Sequence, residues 1–192
     1  MSRAKPGDPP YPKIIHGIHG HLSRLEAKFL IETPARLGPG LYGELGTYRG
    51  KSTICVAAGI KNDNVDAHLI TVDGWDLPGG PGNREIKYCR DEYDNVRQEI
   101  DSRGVGDHVT MVKGFTVPTA ELYKDREFTF IFIDADHAYE GVKGDFEAWS
   151  PMVKSGGEIA FHDTQLDSVQ KALDEIPWET YLVDSITVKV KP

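Results

Sequence analysis

The sequence predicts a doubly wound α/β fold whose mostly parallel sheet ends in an antiparallel C-terminal edge. Apolar strand-like runs alternate with helical stretches over most of the 192 residues, an order typical of parallel sheets covered on both faces. The run FTFIFI (128–133) carries no charge, as expected of a central strand that is buried on both sides. The segment TYLVDSITVKVK (180–191) has the pattern of two short strands joined by a tight turn.

The predicted elements follow one another regularly along the chain. Ser23-Arg24-Leu25-Glu26 has the S-x-x-E form of a capping box and predicts a helix that runs from there to about Glu32. The predicted strands cover 41–46, 68–73, 109–114, 128–134 and 158–163. The predicted helices cover 51–61, 83–102, 119–123, 139–153 and 166–176.

Chain length predicts one domain over residues 21–192, preceded by an extended N-terminal arm over residues 1–20. The first 15 residues are polar and include four prolines, a composition typical of such arms. The segment HGIHGH (16–21) contains three histidines. We interpret it as a flexible entrance segment, with closure over the active site as a hypothesis and metal binding as the alternative.

Charge and composition exclude several classes of partner. The formal net charge is −8, from 22 basic and 30 acidic residues, which argues against nucleic-acid binding and against docking on anionic lipid. The N-terminus lacks the apolar core of a signal peptide, and no run approaches 18 apolar residues. Cys55 and Cys89 lie in predicted helices and are expected to be reduced, with a single disulfide as the alternative. We therefore expect a cytoplasmic protein and leave a homo-oligomer open.

A glycine-containing loop, ELGTYRGKS (44–52), follows the first predicted strand. Its G-x-x-x-G spacing differs from the dinucleotide fingerprint G-x-G-x-x-G. Gly50-Lys51-Ser52 matches the end of the NTPase phosphate loop, but that loop requires glycine where Leu45 stands. An NTPase or kinase is therefore kept as an alternative.

Two acidic residues near this loop indicate a different ligand. Asp73 ends the second predicted strand, where a carboxylate can accept hydrogen bonds from the hydroxyls of a ribose. Glu44 adds a second negative charge at the start of the loop. The pair favours a ligand with an ammonium or sulfonium group over a polyphosphate.

A second cluster of ionisable residues follows the buried strand, in FIFIDADHAYE (130–140). In a doubly wound sheet this strand lies beside the first and the last parallel strands, which brings Asp134 close to Asp163. Two adjacent carboxylates favour a divalent cation between them, Mg²⁺ first. His137 is suited to accept a proton near neutral pH; a solvent-exposed residue at a helix start is the alternative.

ELGTYRGKST (44–53), the ITVD acid and IDADHAYEGVKGDFEAW…GGEIAFHDT together resemble the class I S-adenosylmethionine-dependent methyltransferases. Within them the chain is similar to small-molecule O-methyltransferases related to macrocin O-methyltransferase, over about residues 38–165. The resemblance implies a Rossmann-like fold, S-adenosyl-L-methionine as cofactor and a hydroxylated small molecule, such as a sugar, as acceptor. A non-catalytic cofactor-binding module of the same fold is the alternative.

The resemblance also implies a set of site residues. Those implied around the cofactor are Glu44, Gly46, Thr47, Tyr48 and Ser52 at the methionine part, Asp73 at the ribose, Gly74, Trp75, Phe115 and Thr116 at the adenine, and Asp134 near the methyl group. The implied metal ligands are Asp134, His162 and Asp163, and the implied base is His137. The resembled enzymes often carry an acid or amide next to the last ligand. Because His162 and Thr164 stand there, Mn²⁺ or Fe²⁺ are alternatives to Mg²⁺.

Overall fold

The computed structural model describes residues 12–75, residue 77 and residues 92–192. Within these residues seven strands form one sheet in the order β3-β2-β1-β4-β5-β7-β6. The pairs among β1 to β5 are parallel, whereas β7 pairs antiparallel with both β5 and β6. The predicted fold class, a doubly wound and mostly parallel sheet with an antiparallel C-terminal edge, is confirmed.

The strands are β1 (Gly40–Leu45), β2 (Ala67–Asp73), β3 (Val109–Lys113), β4 (Phe128–Ile133), β5 (Val153–Phe161), β6 (Glu179–Val183) and β7 (Ile186–Val190). The helices are α1 (Arg24–Leu37), α2 (Lys51–Asn62), α3 (Glu92–Ser102), α4 (Thr116–Ala120), α5 (Tyr139–Trp149) and α6 (Asp167–Leu173). None of these described helices combines the length and the apolar character needed to cross a bilayer.

Strand β4 lies at the centre of the sheet, and all six of its residues are buried. Because successive side chains of a strand point to opposite faces, β4 contributes to two separate apolar cores. Phe130 and Phe132 belong to the core that contains residues of α1 and α2. Ile131 and Ile133 belong to the core that contains residues of α5 and α6. Strand β4 carries no charged residue because both of its faces pack in apolar cores, as the sequence predicted.

The strand order reverses at β1, which pairs with β2 on one side and with β4 on the other. Ligands of doubly wound sheets bind in the crevice beyond the carboxyl ends of the strands at such a reversal. The segment before α1 also lies near this point. It contains a 3₁₀ turn over Lys13–Ile15, and it buries Ile15 and Ile18 in the core shared with α2.

Helix α1 begins as predicted and ends later than predicted. The Ser23 hydroxyl accepts a hydrogen bond from Glu26 N at 3.2 Å, and the Glu26 carboxylate accepts one from Ser23 N at 2.7 Å, which confirms the capping box. The predicted end near Glu32 is wrong, because the helix continues through Pro34. Close packing on α2 accompanies this extension: a Cβ atom on Gly59 would lie 2.0 Å from the Ile31 carbonyl oxygen.

Other boundaries also differ from the sequence prediction. The predicted helix 139–153 ends at Trp149, since a 3₁₀ turn containing Pro151 follows it. Strand β5 begins at Val153, earlier than the predicted position 158. Of the predicted helix 83–102, the described part is α3; residues 83–91 and most of the glycine–proline loop 76–83 lie outside the described residues.

Candidate active site

The carboxyl ends of three neighbouring strands are held together beyond their last paired residues. Asp134 follows β4 directly, and its backbone N–H donates to the Leu45 carbonyl oxygen at the end of β1, at 2.8 Å. His162 follows β5, and its backbone N–H donates to the Ile133 carbonyl oxygen at 3.0 Å. These two bonds fix Asp134 between the glycine loop and the end of β5.

Gly46 allows the closest approach in this region. Its φ of +94° lies in a region that favours glycine. A Cβ atom at this position would lie 2.3 Å from the carbonyl oxygen of Asp134. The glycine loop therefore contacts the backbone of the acidic segment directly, with no side chain between them.

Asp73 holds the glycine loop through its carboxylate. Oδ2 accepts hydrogen bonds from the backbone N–H groups of Thr47 and Tyr48, at 2.9 and 2.8 Å. Oδ1 accepts a third bond from Trp75 N, at 2.7 Å. A phosphate cradle needs loop amides that point at the ligand, whereas these two loop amides bond to a protein carboxylate. The geometry therefore argues against the NTPase alternative.

Glu44 lies beneath the loop and is 1% exposed. Its Oε2 accepts hydrogen bonds from the hydroxyls of Thr53 and Thr71, each at 2.5 Å. Burial raises the pKa of Glu44 to about 7, although the hydroxyls of Ser52, Thr53 and Thr71 oppose this shift. The predicted loop residues Glu44 and Ser52 are thus adjacent, and the Thr47 hydroxyl contacts the Thr71 hydroxyl beside them.

Three of the four residues predicted at the adenine lie together at the ends of β2 and β3. The Trp75 indole N–H donates to the Tyr48 carbonyl oxygen at 3.2 Å. Gly74 faces the ring of Phe115, which a Cβ atom on Gly74 would approach to 3.2 Å. The Thr116 hydroxyl, in contrast, donates to Asp145 of α5. The side chain of Thr116 therefore contacts helix α5 instead of joining the other three.

The predicted metal ligands and the predicted base are brought together. Asp134, His162 and Asp163 offer ligand atoms that all lie within 4.8 Å of one another. His162 Nδ1 lies 3.1 Å from Asp134 Oδ1 and 3.7 Å from Asp163 Oδ2. His137 Nε2 lies 3.1 Å from Asp163 Oδ2 and 3.4 Å from Asp134 Oδ1. Two carboxylates and one imidazole form a donor set that suits a divalent ion.

Both histidines favour the protonated form, because carboxylates surround them. Asp134 and Asp163 raise the pKa of His137 to about 9. Burial alone would lower the pKa of His162, but Asp134 and Glu26 outweigh it and raise that pKa to about 10. His137 in turn holds the pKa of Asp163 below its usual range. In the absence of a metal ion, two imidazolium groups therefore offset the repulsion between the carboxylates at neutral pH.

Glu26 belongs to this cluster, although the sequence assigned it only to the capping box. It is 2% exposed, and its Oε2 lies 3.5 Å from His162 Nε2. Burial alone would raise the pKa of Glu26, but His162 and Ser185 lower it to about 2. No sequence motif links α1 to the end of β5, so only the packing of α1 beside β5 and the β6–β7 turn could have indicated this contact.

The histidine-containing segment HGIHGH lies against the glycine loop. His19 Nδ1 is 3.2 Å from the Tyr48 hydroxyl, and the Lys51 ammonium donates to the Gly20 carbonyl oxygen at 3.0 Å. His19 and Gly20 thus contact the glycine loop at Tyr48 and Lys51. Closure of this segment over the site remains a hypothesis.

Comparisons with known proteins identify the family and the fold of the chain. The family model described as "Methyltransferase domain" matches residues 44–164, which include the glycine loop and the three acidic strand ends at Asp73, Asp134 and Asp163. An uncharacterized protein of Sinorhizobium fredii is 30% identical over 132 residues, which make up 68% of this chain. The match covers only 14% of the length of that relative.

Solved structures with a similar fold include several O-methyltransferases. A putative O-methyltransferase from Klebsiella pneumoniae has a TM-score of 0.70 at 18% identity, over 97% of this chain and 92% of that chain. The O-methyltransferase NovP has a TM-score of 0.68 at 20% identity, over 88% and 79%. An O-methyltransferase from Bacillus cereus, in complex with SAH, has a TM-score of 0.65 at 19% identity, over 89% and 83%. These TM-scores show a shared fold.

The proximity of two carboxylates predicts the titration of His137. In metal-free protein its imidazole should titrate near pH 9, because Asp134 and Asp163 stabilise the protonated form. The substitution Asp163→Asn removes one of these charges, so the midpoint should fall towards the ordinary value of ~6.5. An NMR titration of the imidazole signals measures both midpoints.

His68 provides an internal control for this titration. It lies in β2 and contacts Thr110 of the neighbouring strand β3, and burial lowers its pKa below the ordinary value. Its midpoint should be the same in both proteins. A His137 midpoint that is unchanged by Asp163→Asn would contradict the assigned electrostatics.

Proposed function

Because the chain belongs to the methyltransferase domain family, we propose that it transfers a methyl group from S-adenosyl-L-methionine to a hydroxyl oxygen of a small molecule. This membership and the shared fold confirm the resemblance to the class I methyltransferases. The observation that carries the proposal is the direct contact between the glycine loop and Asp134 at Gly46. Through this contact, the loop proposed to bind the cofactor lies beside His137 and beside the proposed metal ligands Asp134, His162 and Asp163.

The cofactor proposal is supported by relatives and by the chemistry of the loop. The Bacillus cereus structure contains SAH, and the structure of the O-methyltransferase TomG from Streptomyces achromogenes contains SAM. S-adenosyl-L-methionine supplies an electrophilic methyl group on a sulfonium centre. Asp73 receives three backbone hydrogen bonds, and a carboxylate offers about four acceptor positions. One position, on Oδ1, is left to accept a bond from a ribose hydroxyl.

A hydroxylated acceptor is favoured by the names of structural neighbours and by the catalytic cluster. One neighbour, CalS11, is a TDP-rhamnose 3'-O-methyltransferase, with a TM-score of 0.63 at 16% identity. A deoxysugar or a similar hydroxylated metabolite is therefore the acceptor class that we propose. A cytoplasmic location, a domain over residues 21–192 and a homo-oligomer remain predictions.

We assign His137 as the proton acceptor of the reaction. A divalent ion held by Asp134, His162 and Asp163 would supply Lewis acidity that lowers the pKa of a hydroxyl group, and would offset the carboxylate charge. His137 Nε2 faces both carboxylates; the side chain is 34% exposed, but Nε2 itself is buried between them. Once the carboxylate charge is offset, His137 can be neutral near pH 7 and can take the hydroxyl proton at Nε2.

Binding of the cofactor tests the loop assignment. The wild-type chain should bind S-adenosyl-L-methionine, whereas Asp73→Asn should raise the Kd about tenfold or more, since it removes a charged acceptor worth about 1.5–3 kcal/mol. Isothermal titration calorimetry measures both values. Asp66→Asn is the matched control, because Asp66 lies at the opposite end of β2 and its substitution should leave the Kd unchanged.

Two outcomes would overturn the cofactor assignment. One is binding of ATP–Mg²⁺ without binding of S-adenosyl-L-methionine, which would restore the NTPase alternative. The other is an equal Kd for the wild-type and Asp73→Asn proteins.

The role of His137 predicts a separation of turnover from cofactor binding. His137→Gln should lower kcat about 100-fold or more, since general-base catalysis contributes about 10²–10⁴-fold. Its Kd for S-adenosyl-L-methionine should stay close to the wild-type value. Transfer of a radiolabelled methyl group to TDP-rhamnose measures turnover. His108→Gln, at a 3₁₀ turn before β3, is the control; full activity of His137→Gln would refute the assigned base.

A further inference from the structure

His162 lies between carboxylates on two sides of its ring. Nδ1 faces the candidate metal site, at 3.1 Å from Asp134 Oδ1 and 3.7 Å from Asp163 Oδ2. Nε2 faces helix α1 and lies 3.5 Å from Glu26 Oε2. The residue is 4% exposed, and the ring of Phe132 lies 5.8 Å from its centre. The imidazole therefore lies between the buried carboxylate of Glu26 on its Nε2 side and the partly exposed carboxylates of Asp134 and Asp163 on its Nδ1 side.

The two nitrogens of His162 must take different roles if the residue binds a metal ion. A ligand nitrogen needs a free lone pair, and a neutral imidazole then carries its proton on the other nitrogen. Nε2 is buried from solvent, so its proton can point only at a protein acceptor. The carboxylate of Glu26 is the acceptor that faces it at 3.5 Å, although Nε2 makes no hydrogen bond in the structure as it stands, so the contact has to shorten for the proton to be received.

Glu26 is itself held by groups outside the metal cluster. Its Oε2 accepts a hydrogen bond from Ser23 N at 2.7 Å, at the start of α1. Its Oε1 accepts bonds from the backbone N–H and the hydroxyl of Ser185, which lies in the turn between β6 and β7; the backbone bond is 3.1 Å long. Three donors from two elements thus fix the carboxylate, which makes it a rigid partner for His162.

We propose that Glu26 is a positioning residue: it receives the Nε2 proton of His162, so that Nδ1 presents its lone pair to a divalent ion shared with Asp134 and Asp163. The inference rests on the metal ion of the proposed function. A carboxylate behind a metal-binding imidazole fixes its tautomer and raises its basicity as a ligand. A site with such an imidazole favours Mn²⁺ or Fe²⁺ over Mg²⁺.

Binding of Mn²⁺ to the full chain tests this role without an activity assay. Glu26→Ala should raise the Kd for Mn²⁺ about tenfold or more, the usual effect of removing such a partner. Electron paramagnetic resonance of the free ion measures the Kd. Ser23→Ala is the matched control, because it removes the capping hydroxyl but keeps the Glu26 carboxylate. Its Kd should stay close to wild type; an equal rise in both variants, or none in Glu26→Ala, would overturn the proposal.

A double-mutant cycle separates positioning from a general structural effect. Since Glu26 acts through the imidazole, Glu26→Ala should change the Kd for Mn²⁺ little when His162 is already replaced by alanine. A similar rise in both backgrounds would show that Glu26 acts in another way, and would overturn the proposal.

The tautomer of His162 can be measured in the wild-type chain, so this test does not depend on the folding of a variant. In wild-type chain loaded with Zn²⁺, a diamagnetic ion that accepts imidazole and carboxylate ligands, ¹⁵N NMR should show a protonated Nε2 and a ligated Nδ1. The reverse assignment would overturn the positioning role while leaving the metal site in place. Failure of wild-type chain to bind Mn²⁺ or Zn²⁺ would overturn the metal site and the positioning role together.

Discussion

The candidate site depends on the close approach of β1 and β4 at their carboxyl ends. Asp134 N bonds to the Leu45 carbonyl oxygen, and Gly46 leaves no room for a side chain against the Asp134 backbone. This contact joins a loop of the cofactor-binding type to a cluster of the metal-binding type. A side chain at position 46 would push the two apart, and neither group alone could align a methyl donor with an acceptor.

Charge compensation is the second constraint on the site. Asp134 and Asp163 lie close enough to repel each other, and His137 and His162 lie close enough to neutralise them. A divalent ion bound by the same carboxylates meets the same electrostatic requirement. The residue at position 162 is an imidazole, and under the proposed function a metal ion would take the place of the protons that now offset the carboxylate charge.

The sequence predicted the parts of this arrangement that depend on local pattern. The uncharged run of β4 and the glycines after β1 placed Asp134 correctly, because strand periodicity and turn chemistry are local properties. The end of α1 was missed, since tertiary packing carried that helix through Pro34. Glu26 was missed for a similar reason: the capping box already gave it a local partner, and its contact with His162 exists only after α1 packs beside β5 and the β6–β7 turn.

The central claim is that Asp134 lies where the cofactor loop meets the metal ligands. A crystal grown with S-adenosylhomocysteine and Mn²⁺, with diffraction measured at the manganese absorption edge, tests it directly. The claim predicts one anomalous peak within about 2.0–2.6 Å of ligand atoms of Asp134, His162 and Asp163, with the sulfur of the cofactor product adjacent. A manganese peak away from these three residues, or a cofactor bound away from the loop at 44–52, would contradict it.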